Sequence, residues 1–142
     1  MATEIYFPVK VTEIDLYGVV HHAKYPKWFE LGRLDFLNKA GIPISMLNTL
    51  GLFFPLVDMR CEYKSPAKLG YTVIVITELT SLSCVKLTFE YRVLNVLRRK
   101  VLATGKTSHA WTNKKFEPLN LEKAAPEIYT RLKQLVKAGR SD

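Results

Sequence analysis

Residues 26–40 constrain the architecture more than any other stretch, because they are too apolar to lie on a surface. Pro26 suits the first turn of a helix, where its missing N–H costs nothing. Gly41 and Pro43 then stop the run. Between them Trp28, Phe29, Leu31, Leu34, Phe36, Leu37 and Ala40 make the segment apolar on most faces. Such a helix spans roughly 22 Å at the standard rise. A helix resting on one side of a domain needs only an apolar stripe, so this one must be wrapped by something.

Strands supply the wrapping. Ile5, Phe7, Val9 and Val11 alternate with other positions and read as a first strand. Residues 56–63, 71–79, 84–94 and 100–111 are rich in Val, Ile, Thr, Tyr and Phe. Alternation is clearest in Val85, Leu87, Phe89, Tyr91 and Val93, with Lys86, Thr88, Glu90 and Arg92 between them. Residues 65–70, 80–83 and 95–99 read as short turns, so the sheet is antiparallel. A last helix is predicted over 126–138, with Ile128, Leu132, Leu135 and Val136 on one face and Gly139 as its cap. The fold class is α+β: a curled antiparallel sheet wrapped around one long central helix, with a short C-terminal helix.

A chain of 142 residues suits a single domain over 1–142. No stretch approaches the roughly 20 apolar residues that span a bilayer, and the start carries no basic region followed by an apolar one. Cys61 and Cys84 are too few for a disulfide scaffold and lack zinc-like spacing. A cytoplasmic protein with reduced thiols is expected. The formal net charge of +8 attracts polyanions, among them the phosphates of a carrier such as coenzyme A or an acidic carrier protein. A nucleic-acid partner is not expected, since no binding motif or exposed aromatic platform is present.

Ahead of the helix runs Asp15-Leu16-Tyr17-Gly18-Val19-Val20-His21-His22-Ala23-Lys24-Tyr25. A carboxylate, which can act as base or nucleophile, stands one short loop before a helix N-terminus with free N–H groups that stabilise developing negative charge. Those are two parts of an acyl-transfer site. No Gly-x-Ser-x-Gly elbow supports a serine hydrolase, and His21-His22 does not read as a metal pair, since no carboxylate or Cys sits at ligand spacing.

The order of elements and the spacing Asp-x-x-Gly-x-Val-x-His-x-x-Tyr, followed by Glu30 and Arg33, resemble the hot-dog thioesterases of the 4-hydroxybenzoyl-CoA thioesterase family. Tyr63-Lys64-Ser65-Pro66-Ala67-Lys68 and Gly105-x-Thr107 resemble it too. The resemblance implies an acyl-CoA thioesterase that releases free acid and CoA. Its alternatives are an acyl-ACP thioesterase and a non-catalytic domain that binds acyl thioesters. It implies a homodimer joined sheet edge to sheet edge, commonly paired again into a homotetramer, with active sites at the dimer interface. No metal or redox cofactor is implied.

Within that resemblance Asp15 and His22 are the expected catalytic residues. Asp15 attacks the thioester or activates water, and His22 contributes first through its backbone N–H. Gly18, Val20, Tyr25, Lys64 and Lys68 are the expected substrate-binding residues, with Arg98, Arg99 and Lys100 near the nucleotide. Glu30 and Arg33, spaced i and i+3, are expected to pair, and His109 to belong to the core. Leu31, Phe36 and residues 47–54 are expected to line an acyl tunnel, which favours an aliphatic chain. Leu16, Tyr17 and Lys24 depart from the family pattern and bear on substrate identity.

Overall fold

A computed structural model describes residues 1–137. Strand β1 (Ala2–Pro8) comes first, then helix α1 (Tyr25–Lys39) and the short helix α2 (Ile44–Thr49). Strands β2 (Leu56–Tyr63), β3 (Thr72–Leu82), β4 (Lys86–Asn95) and β5 (Val101–Ala110) follow, and helices α3 (Leu121–Ala124) and α4 (Pro126–Leu135) end the described chain. The five strands form one antiparallel sheet in the order β1-β3-β4-β5-β2. This is the hot-dog arrangement, with α1 lying across the sheet.

The inner face of the sheet follows from alternation. Leu87, Phe89, Tyr91 and Val93 of β4 all join the main core, as do Val73, Val75 and Leu79 of β3. They meet Trp28, Phe29, Phe36 and Leu37 of α1, each at most 1% exposed. Two glycines let helix and sheet approach. A Cβ on Gly32 would collide with the Thr77 side chain, and one on Gly105 would enter the Phe29 ring. On the outer face Ile74, Ile76 and Leu94 form a small second cluster, and the Thr88 hydroxyl is buried against that of Ser108 at 3.1 Å.

The structure departs from the expectations in places that have physical causes. Val11 is not in the first strand but 68% exposed on a one-turn 3₁₀ segment (Val11–Glu13), because the ladder ends at Val9, whose N–H reaches the Tyr71 carbonyl while the Tyr71 N–H is taken by the Lys68 carbonyl. The expected turn at 80–83 is still strand, since a bulge after Leu79 lets β3 run on to Leu82. The turn tip sits at Ser83, whose Oγ accepts the N–H groups of Val85 and Lys86 at 3.3 and 3.1 Å. Part of the expected loop at 47–54 is the end of α2, anchored by the fully buried Leu47. Helix α4 stops at Leu135, and Ala138 with the expected cap Gly139 lies outside the described residues.

Helix α1 is the most informative difference. Tyr25, Trp28, Phe29, Gly32, Phe36 and Leu37 are buried in a single stripe, while Leu31 is 38% exposed. One chain's sheet covers only one side of this helix. The edge strand β2 is equally uncovered, with every residue except Cys61 exposed.

The two ends of the sheet carry different elements. At the near end the strands finish or start at Pro8, Tyr63, Thr72, Asn95 and Val101, and α1 begins there. At the far end lie Ala2, Leu56, Leu82, Lys86 and Ala110, and α1 finishes there, with Lys39 Nζ on the Glu4 carbonyl at 3.0 Å.

Candidate active site

The near end is organised by one loop. Ile14 and Val20 form an antiparallel bridge, and the Asp15 N–H donates to the Val19 carbonyl at 2.8 Å. Gly18 closes the turn at φ +77°, a conformation open to glycine at no steric cost, and donates to the Asp15 carbonyl at 3.1 Å. Asp15 Oδ1 accepts the N–H of Tyr17 at 2.8 Å and of Val19 at 3.4 Å. Its second oxygen, Oδ2, has no hydrogen-bond partner among the described residues. The loop is pinned to the β2–β3 connection, because Val19 bridges Lys68 and the Val20 N–H donates to the Ala67 carbonyl at 2.8 Å.

The chain then turns into α1 through a 3₁₀ segment, His22–Lys24. His21 caps it: its Nδ1 accepts the Ala23 N–H at 3.1 Å, and its own N–H donates to the Glu13 carbonyl at 2.8 Å. The His22 ring stacks on that of His21 at 4.4 Å, and the His22 carbonyl accepts the Tyr63 hydroxyl at 3.2 Å. The His22 N–H itself makes no hydrogen bond among the described residues. It is therefore a free donor at the start of a helix, the place where a developing oxyanion is stabilised.

A cavity of about 280 Å³ opens here, lined by Val20, His22, Tyr25, Tyr63, Lys64 and Ser65. Four of the expected site residues, Val20, His22, Tyr25 and Lys64, thus share one cavity. Asp15, Gly18 and Lys68 stand on the adjoining loops instead. Tyr25 is 2% exposed, and burial pushes its hydroxyl up to about 12, so it is a neutral wall rather than a base. Lys64 is tied to Glu62 at 2.8 Å. Burial raises the Cys61 thiol, which suits a structural role better than a nucleophilic one.

Sequence reasoning misses two anchoring residues. Glu13 accepts the Trp28 indole N–H at 2.9 Å and the Lys10 N–H at 2.8 Å, tying the segment ahead of the loop to the buried face of α1. Tyr63, which the sequence marks only as part of a motif, holds the His22 carbonyl. A carboxylate facing an indole 15 residues away leaves no local signal in the sequence.

The expected Glu30–Arg33 pair does not form. Glu30 meets Lys27 at 3.4 Å, while Arg33 donates to the Tyr91 hydroxyl at 3.4 Å. Arg33 has turned toward the core, where Tyr91 and Thr107 oxygens lie 2.6 Å apart and Thr107 meets His109 Nε2 at 2.9 Å. His109 is buried, as expected. Burial, together with the Arg33 charge, lowers it to about 4 against the opposing effect of its hydrogen bond to the Phe54 carbonyl, so it is neutral at physiological pH.

A sheet curled over one helix is the fold of the hot-dog thioester hydrolases, and the loop that starts that helix leaves a carboxylate oxygen and an N–H unpaired among the described residues. The chain belongs to the thioesterase-like superfamily, whose family model matches residues 9–130. It is 32% identical over 124 residues to YneP of Bacillus subtilis (strain 168), covering 86% of this chain and 88% of that one. It is also 32% identical over 91 residues to the acyl-CoA thioester hydrolase YbgC of Escherichia coli O157:H7, covering 63% and 68%. The crystal structure of protein TT1821 from Thermus thermophilus, 34% identical, superposes with a TM-score of 0.86 over 96% of this chain and 99% of that one.

Proposed function

We propose that the chain hydrolyses an acyl-CoA with an apolar, aliphatic acyl group to the free acid and CoA, with Asp15 and His22 as catalytic residues. One observation carries this reading. In a loop whose other backbone N–H groups are largely bonded, Asp15 Oδ2 and the His22 N–H are both left without a partner among the described residues. Asp15 takes a proton from water, whose oxygen bonds to the thioester carbon, or bonds to that carbon itself as an anhydride that water then opens. The carbonyl oxygen gains charge and is held by the His22 N–H and the helix N-terminus. The C–S bond then breaks, and the thiolate leaves and is protonated. A thioester has a good leaving group, so no strong acid is needed.

Gly18 shapes the turn, and Val20 and Tyr25 wall the cavity. Lys64 and Lys68, with Arg98, Arg99 and Lys100 at the same end, face the phosphates of CoA. The protein is read as cytoplasmic, a reducing compartment that suits the free thiols of Cys61 and Cys84.

The active unit is a homodimer, paired again into a homotetramer. Strand β2 presents an outer edge together with exposed Leu56, Val57, Met59 and Tyr63, and an open apolar edge of this kind calls for a partner. An isologous pairing that keeps both α1 helices on one face runs the two β2 strands antiparallel. The near end of one protomer then lies beside the far end of the other.

Asp15→Asn tests the reading. The expected result is a loss of about 10²–10⁴ in kcat for thiol release, with acyl-CoA binding retained. Full turnover in Asp15→Asn would sink it, and binding without any thiol release by the native protein would leave a non-catalytic acyl-thioester-binding domain. A second reading, with an acyl carrier protein as donor, is favoured by Leu16, Tyr17 and Leu97, 102%, 90% and 90% exposed beside the basic loops. Faster thiol release from an acyl-ACP than from the CoA ester of the same chain decides for it.

A further inference from the structure

The far end holds a second cavity of about 270 Å³, bounded by α1, α2, the start of β2 and the segment after β5. Its walls are apolar over much of their extent, from Leu34, Phe53, Phe54, Leu56 and the exposed Phe116. Arg33 and His109 also line it. Glu30 reaches its rim but is already paired with Lys27.

The hydrogen bonds behind Arg33 have only one consistent direction. The Phe54 carbonyl can only accept, so His109 Nδ1 carries the proton and donates to it at 3.0 Å. Nε2 of the neutral ring must then accept, from the Thr107 hydroxyl. The Thr107 oxygen accepts in turn from the Tyr91 hydroxyl, and the Tyr91 oxygen accepts from Arg33 Nη1. Every link is used, and the chain ends in a guanidinium that spends one of its five donors on a neutral phenol. No carboxylate lies within 4.0 Å of Arg33 among the described residues, although four other ion pairs form there. A half-buried cation in an apolar cavity is unfavourable unless an anion meets it, and His109, held neutral, adds no second charge.

We propose that Arg33 is a specificity-determining residue that binds an anionic oxygen at the far tip of the acyl group. The substrate class is then an aliphatic acyl thioester with an apolar body and a carboxylate at the end remote from the sulfur. This rests on the thioester-hydrolase reading and on the antiparallel β2 pairing, which sets this cavity beside the partner subunit's catalytic loop. The hydrogen-bonded chain from Phe54 to Tyr91 holds one guanidinium N–H at the cavity wall, and Arg33, which lines the cavity, keeps its other donors for an oxygen anion to meet with charge-assisted bonds.

A matched pair of substrates tests it: adipyl-CoA against hexanoyl-CoA. The native protein is expected to favour adipyl-CoA by about tenfold or more in kcat/KM. Arg33→Met is expected to reduce that ratio by about tenfold, and Arg33→Lys to restore part of it. A native ratio at or below one overturns the proposal whether or not the variants fold. A ratio unchanged in Arg33→Met also overturns it and assigns Arg33 to a structural pair across the interface. Hydrolysis of neither ester defeats the enzymatic reading itself, whereas hydrolysis without preference defeats this inference alone.

Discussion

The near and far ends of the sheet are two sites built by opposite means. The Asp15 loop is held mostly by bonds among neighbours in sequence, with one pin to Ala67 and Lys68, and apart from Val20 its side chains are half-buried or in solvent. The far cavity rests on Arg33, Tyr91, Thr107 and His109, which come from three elements and are joined through side chains in the core. The first kind of site is expected to change activity without changing stability. The second is expected to couple stability to substrate choice.

The largest separation is expected at His22. The 3₁₀ segment begins there and His21 has ψ 134°, the extended conformation that a following proline requires. His22→Pro therefore removes the N–H with little strain, while His22→Ala removes only the ring. Relative to His22→Ala, His22→Pro is expected to lose about 10²–10³ in kcat, with unfolding free energies within about 0.5 kcal/mol of each other. Equal activity in the two variants would remove the backbone donor from the mechanism. A large loss of stability in His22→Pro would end the contrast between the two ends.

At the far end Thr107→Val is the corresponding variant. It keeps the shape but takes the acceptor from the Tyr91 hydroxyl and the donor from His109 Nε2, both in the core. Two buried polar groups left unmatched are expected to cost about 2–4 kcal/mol, read as a lower denaturant midpoint. A cost below about 0.5 kcal/mol would mean that the hydrogen-bonded chain contributes nothing.

The same chain makes stability depend on pH. His109 is lowered to about 4 in the folded protein, against an ordinary value near 6.5. Below that ordinary value the unfolded chain takes up a proton that the folded chain refuses. Stability is therefore complete above about pH 6.5, falls as the pH drops toward 4, and stops falling on this account below it. The loss is at most about 3 kcal/mol. Denaturant titrations from pH 7.5 to 4 check the slope, which is expected to flatten in His109→Gln.

The difference between the ends also explains what is legible in the sequence. The Asp15 loop is a contiguous string in which Gly18 marks the turn and Pro26 the helix start, so local sequence alone is enough to name its residues. The succession of elements and the inward set of β4 follow from period-two alternation and the turn residues between strands. Arg33 is misplaced by such reasoning because i,i+3 spacing points to Glu30, whereas the outcome depends on a Tyr91 oxygen 58 residues away. The coverage of α1 is overestimated for a related reason: counting apolar positions shows that a helix must be covered, not how much of the cover its own chain supplies. The bulge in β3 and the early end of β1 are decided by pairing with neighbours, which local composition does not report.

The smallest expected effect concerns Phe116, which lines the far cavity while 68% exposed. Its φ of +61° lies in the left-handed region, unusual for a bulky side chain. The turn that holds it is tied down by Asn113, whose Oδ1 accepts from the N–H groups of Lys115 and Glu117 at 2.9 and 3.0 Å. Its counterpart at the near end, Arg99 at φ +50°, stands in the exposed β4–β5 turn and lines neither the near cavity nor the far one. Phe116→Gly relieves the strain but frees the unfolded chain, so a net stabilisation of no more than about 1 kcal/mol is expected. If the ring closes the far cavity over the acyl group, the same change raises KM for apolar acyl-CoAs, while Arg99→Gly leaves the ranking of acyl chains unaltered. An unchanged KM in Phe116→Gly would separate this strained aromatic from substrate binding and confine the far site's role in selection to Arg33.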